Sequence, residues 1–156
     1  MEDRAQLEIE LESLLDYHFS DHNLLEELLQ AAGSSVSDPA VHGDRHGNKR
    51  LALLGDSVLS TVLLEQWYES GQSTGKSSNN PDGNRLLKTH ASNNVLSSRA
   101  EELKLDRYII KNPVHHGSVP EGTLSSMVEA ILGAVWIDSK RNPDEVLHVM
   151  KEMKLY

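Results

Sequence analysis

Asn48-Lys-Arg-Leu-Ala-Leu-Leu-Gly-Asp-Ser-Val-Leu59 is the stretch on which the fold turns. Leu51, Leu54, Val58 and Val62 recur three and four residues apart, so they share one face of a helix running from about Asn48 to Ser70. Leu53, Leu59, Leu63 and Leu64 form a second apolar face. A helix apolar on two sides needs two surfaces to bury against. One is the core; the other is expected to be a second copy of the chain, meeting across Leu54, Val58 and Val62. Within the same stretch Gly55 allows close backbone approach, and Asp56 sits among leucines, where an ionised carboxylate is costly unless paired or metal-bound.

Outward from this helix the pattern stays helical. Leu7, Leu11, Leu14 and Leu15 lie at helical spacing near the N-terminus. Ser20 or Asp21 caps a short second helix carrying Leu24, Leu25, Leu28 and Leu29. Residues 33–47 and 71–83, rich in Gly, Ser, Asp, Asn and Pro, read as loops. Asn84–Leu103 reads as one helix with Leu86, Leu87, Ala91, Val95, Leu96 and Ala100 inward. A short helix and an irregular stretch fill 104–122. Thr123–Ser139 is a strongly apolar helix and Pro143–Leu155 an amphipathic one. No strand pattern or internal repeat stands out. The expectation is one all-α domain over residues 1–156.

Composition narrows the chemistry. The chain has 156 residues, enough for a core without staples, and no cysteine, which excludes disulfides, thiolate metal sites and cysteine nucleophiles. One Phe, two Trp and four Tyr are too few for base-stacking platforms. The longest apolar region, Met127–Ile137, contains Glu129 and is too short to span a bilayer. The first twelve residues do not read as a secretory leader; a soluble protein, with the cytoplasm as default compartment, is expected. The net charge of −9 is uneven: residues 1–31 hold nine acids against Arg4 alone, and the rest of the chain is nearly balanced. So acidic a chain binds phosphate poorly by bulk charge. A nucleic-acid role therefore needs a local site, a metal or a basic neighbour.

Glu129 is the second acid in an apolar helix, within Met-Val-Glu-Ala-Ile-Leu-Gly-Ala-Val-Trp-Ile. Ala130, Gly133 and Ala134 beside it form a small-residue stripe that lets another helix approach. Two acids on two apolar helices can meet around a divalent cation, or each can cap or pair with a neighbour such as Arg50. The residues alone leave both open.

Residues 48–59 resemble the signature of the ribonuclease III family, roughly N-E-R-L-E-F-L-G-D-S-V-L. Three further blocks follow the family's order: Tyr17–Leu25, the stretch from Gly83 to Leu105, and Ser125–Asp138, which is similar to the family's second acidic motif. Together they cover about residues 7–139. The resemblance implies an all-helical domain that forms a two-fold dimer across the signature helix. It also implies carboxylates that bind Mg²⁺ (or Mn²⁺) and hydrolysis of RNA phosphodiesters to 5′-phosphate and 3′-hydroxyl ends.

The chain departs from that pattern. Family acids at the positions of Lys49, Ala52 and Ser126 are replaced, leaving Asp56 and Glu129 as candidate catalytic and metal-binding residues. Two functions follow. One is an atypical metal-dependent endoribonuclease with a rebuilt site and altered preference, such as single-stranded RNA; retention of Glu129 in a costly setting favours it. The other is a silent dimerisation and RNA-binding domain of a ribonucleoprotein assembly such as a mitochondrial ribosome; joint loss at 49, 52 and 126 favours that. Lys76, Arg85, Lys88 and Arg99 are the candidate RNA contacts, with a solvated helix face as the alternative. His115 and His116 are candidate bases or ligands, but two loop histidines in solvent is the simpler reading, and the same holds for His42 and His46. The polar block Ser92-Asn93-Asn94 reads as satisfied structural groups. With so little positive charge, the chain is expected to be part of a longer one in which a double-stranded RNA-binding domain follows residue 156.

Overall fold

A computed structural model describes residues 3–71 and 82–156. Eight α-helices make up the fold: α1 (Arg4–Leu15), α2 (His22–Leu28), α3 (Ser34–Ser37), α4 (Lys49–Glu69), α5 (Gly83–His90), α6 (Asn93–Glu102), α7 (Glu121–Asp138) and α8 (Pro143–Glu152), with a 3₁₀ turn at Leu105–Arg107. Among the described residues there is no strand, only an isolated bridge between Gln30 and Ile110. The all-α expectation holds.

Local chemistry sets the helix starts. Asp3, Asp21, Asp82 and Asn142 each accept a hydrogen bond from a first-turn amide of α1, α2, α5 and α8. Pro143, whose missing N–H is no loss in a first turn, opens α8. Two expectations need correction. Residues 33–47 are not all loop, because Ser34–Ser37 make a helical turn. The helix expected over 84–103 is two helices: Ala91 leaves helical geometry and Ser92 is extended at the start of α6. Ser92 favours an N-cap over a helix interior because its hydroxyl competes for backbone partners. Ser92-Asn93-Asn94 is therefore a helix start.

The core is built around α7. From Leu124 to Val135 every residue of that helix except Glu129 is buried, as expected of a helix apolar all round. Helix α4 lies across it with Leu51, Val58, Leu59, Val62 and Leu63 buried, and α2, α6 and α8 close the other sides. At the crossing two glycines face each other. A Cβ on Gly55 would overlap the carbonyl oxygen of Glu129, and one on Gly133 would overlap that of Leu51. The two backbones thus touch, which any larger residue would prevent.

The far end of α7 is tied to the N-terminal region by Asp138. Its carboxylate accepts the Tyr17 hydroxyl at 2.8 Å and the amides of Ser20 at 3.0 Å and Asp21 at 2.8 Å. Burial pushes this carboxyl up, but the three donors outweigh it and hold its pKa below the usual carboxylate value.

Candidate active site

The glycine crossing fixes the site. Asp56 directly follows Gly55, and Gly55 packs against the backbone of Glu129, so one acid from each long helix comes to the same place. Glu129 is half-buried and Asp56 exposed. The Glu129 carboxyl is pushed up to about 7, first by burial and then by the negative charge of Asp56, with Lys49 pulling the other way. A cation placed near the two carboxylates would offset the repulsion that Asp56 exerts on Glu129.

The substituted positions also meet. Lys49, in the first turn of α4, donates from Nζ to the Ser126 hydroxyl at 2.8 Å. Ser126 is one turn before Glu129 on α7, and Ala52, buried and apolar, lies between Lys49 and Asp56 on α4. An ammonium bound to a hydroxyl thus stands where the family pattern has acids on both helices. The sequence contained both residues, but only the helix crossing makes them partners. The donor set left over, two carboxylates beside an ammonium, suits one hard divalent ion completed by waters and substrate oxygens. It does not suit a two-ion clamp.

Other candidates are dispersed. Arg85 and Lys88 are exposed on α5, while Arg99 is on α6 and paired with Glu102; Lys76 lies outside the described residues. The three described residues therefore do not share one helix. His42, His46, His115 and His116 are all exposed. Among the described residues, the cluster of three potential metal-ligating groups is Asp16, His148 and Glu152. It lies on α8 and the end of α1, on neither helix of the crossing, and His148 there pairs with Asp16. Val58 and Val62 are only 6% and 1% exposed within a single chain. They border a shallow groove with Leu54, Thr61, Trp136 and Pro143. Leu53, at 74%, is the most exposed large aliphatic side chain of α4. Its position in the signature helix was legible; its exposure was not.

The sequence is 30% identical over 152 residues to ribonuclease 3 of Fusobacterium nucleatum, covering 95% of this chain and 62% of that protein. It is 33% identical over 128 residues to ribonuclease 3 of Shewanella amazonensis, covering 80% of this chain and 51% of that one. The chain thus spans roughly half to three-fifths of the length of these curated relatives. In fold it is similar to the nuclease domain of ribonuclease III from Campylobacter jejuni, with a TM-score of 0.68 at 23% identity over 92% of this chain and 91% of that one. A second structure of that domain, described for flexibility in a region involved in dimer formation, gives 0.67 at 24% identity, over 92% and 94% of the two chains. Residues 49–140, from the first turn of α4 through the glycine crossing to just beyond α7, match the ribonuclease III domain as a family, and to that family the chain belongs.

Proposed function

We propose that this domain is a reduced ribonuclease III-type endoribonuclease, in which Asp56 and Glu129 hold one Mg²⁺ (or Mn²⁺) against an RNA phosphodiester. What carries the reading is the Gly55–Gly133 crossing, which aligns the two surviving acids and couples their charges. Bound there, the ion supplies Lewis-acid chemistry, lowering the pKa of a water and neutralising charge on the phosphate. The chain's own residues supply the rest. Asp56 and Glu129 provide carboxylate oxygens from two rigid helices. Glu129 gives up its proton more readily when positive charge approaches. Lys49, steadied by Ser126 one turn before Glu129 on α7, presents fixed positive charge where acids would repel a phosphate.

The test incubates the purified chain with single- and double-stranded RNA in Mg²⁺ or Mn²⁺, beside Glu129→Ala and Asp56→Ala. Cleavage that falls by at least about a hundredfold in each variant supports the reading. No cleavage of either RNA, or cleavage indifferent to both substitutions, rejects it. The second reading, a silent dimerising and RNA-binding domain, draws on the Lys49–Ser126 hydrogen bond, which fills acid positions with a self-satisfied pair. It is the outcome if RNA binds and is never cut.

We further propose that the chain forms a homodimer through α4. The exposed Leu53 and the groove bordered by Leu54, Val58, Val62 and Trp136 support this, as an apolar surface beside the site. Leu53→Glu is the clean probe: Leu53 is exposed in one chain, whereas Val58→Glu would place a charge inside the protomer and unfold it. Light scattering should read about twice 17.4 kDa for the wild type and the single mass for Leu53→Glu. A wild type at the single mass excludes the dimer.

A further inference from the structure

Beside the carboxylate pair is a cavity of about 100 Å³, several times the ~10–15 Å³ that one water needs. Its walls are residues 31–32, the loop 109–120 and the N-terminal parts of α4 and α7, with Lys49, Lys111, His115 and Ser126 among its polar lining. Among the described residues no carboxylate lines it, in a chain whose net charge is −9. The basic groups come from two separate segments, α4 and the loop before α7, and converge only in the folded chain.

The walls are fixed in advance. Ala31 N–H donates to the Ile110 carbonyl at 3.0 Å, and Ile110 N–H to that of Leu29 at 2.7 Å. Asn112 locks the loop further: its Nδ2 donates to the Ala32 carbonyl at 3.3 Å, while its Oδ1 accepts from the Ser37 hydroxyl at 3.0 Å and the Val114 amide at 3.1 Å. A site shaped before the ligand arrives loses less entropy on binding. Lys49 and Ser126 line the cavity; Ser126 stands one helical turn before Glu129 on α7, and Lys49, its hydrogen-bond partner, two turns before Asp56 on α4. A turn rises 5.4 Å, on the scale that separates neighbouring phosphates along a strand. An ammonium has three N–H donors, and Ser126 takes one from Lys49.

We infer that this cavity is a phosphate subsite, holding the RNA backbone phosphate next to the one that faces Asp56 and Glu129, with Lys49, Lys111 and His115 as its cationic contacts. The inference rests on the RNA reading above. It assigns to the substituted position 49 a role in holding substrate, and to Lys111, outside both acidic helices, a contact with it.

Binding is measured in EDTA, without divalent ions, so that cleavage plays no part. Amide resonances are followed while inorganic phosphate, then a short single-stranded or duplex RNA, is added; Lys111→Ala, an exposed substitution, and Glu129→Gln are run in parallel. Expected results are shifts confined to the amides lining the cavity with either probe, about fivefold weaker RNA binding in Lys111→Ala, and a salt dependence shallower by about one. Glu129→Gln should bind RNA at least as well as the wild type. Lys111→Ala binding RNA with unchanged affinity and slope, in a chain that still cleaves, overturns the subsite and leaves the nuclease reading intact. Dependence on Lys111 without any cleavage does the reverse. Inorganic phosphate shifting these amides while RNA does not would make this a pocket for free anions and overturn the inference.

Discussion

Two of the three carboxylates of α7, Glu129 near its middle and Asp138 at its end, are treated in opposite ways. Asp138 receives three hydrogen bonds from the chain segment leading into α2, and its pKa lies below the ordinary value. Glu129 is half-buried with another acid beside it, a lysine pulls the other way, and its pKa is pushed up to about 7. A buried acid that the fold has supplied with donors is a fastener. A partly buried acid given a second negative charge instead has an incomplete environment, which a cation would complete. The same helix thus joins a stabilising end to a strained middle.

Substitutions at the two positions should separate these roles. The largest effect is on cleavage: the loss of at least about a hundredfold expected for Glu129→Ala has no counterpart in Asp138→Ala, whose activity per folded molecule should match the wild type. Equal losses in both would erase the contrast. The next is on stability. Asp138→Ala leaves two backbone amides and a phenol without their acceptor, and should lower the unfolding free energy by about 2–4 kcal/mol in denaturant titrations.

Smaller and of opposite sign is Glu129→Gln. The native chain holds the Glu129 proton more tightly than the unfolded chain, whose carboxyl has the ordinary value of 4.5. Its contribution is therefore fully present below about pH 4.5 and lost as pH rises through about 7. Allowing for solvent screening of a half-exposed group, Glu129→Gln should stabilise the metal-free chain by on the order of 1–2 kcal/mol at pH 8 and by nearly nothing at pH 4. Asp138 has the reverse slope: its contribution is present above pH 3.8 and lost as pH falls through its depressed native pKa. Denaturation of both variants across pH reads the two slopes directly, and slopes of the same sign would contradict the assignment. The smallest expected effect is a rise of a few degrees in the melting temperature of the wild type on adding millimolar Mg²⁺, absent in Glu129→Gln. A rise of equal size in both places the ion elsewhere.

Much of this was legible in the chain itself. The leucine spacing of α4 and the apolar run of α7 gave those helices within a residue or two, and the spacing in α1 and α2 gave their presence and buried faces, because helical periodicity is a local property. The break at Ala91-Ser92 is masked in the sequence because Leu86 to Ala100 stays in helical register across it, and the N-cap preference of Ser92 was the one local signal for it. Asp56 and Glu129 stood out as acids among apolar residues, and the small residues beside them hinted at a close crossing. Asp138 passed unremarked, because the residues that satisfy it lie more than a hundred positions away.

The sequence by itself determined which segments are helical, which acids survive at the family positions and how the charge is distributed, all of which follow from local pattern and composition. Only the tertiary structure decided that Gly55 meets Gly133, that Lys49 bonds Ser126, that Lys111 joins Lys49 around one cavity, and that two carboxylates on a single helix have opposite surroundings. Those are relations between distant segments, and a carboxylate's energy depends on what the fold places within a few ångströms of it rather than on its neighbours along the chain.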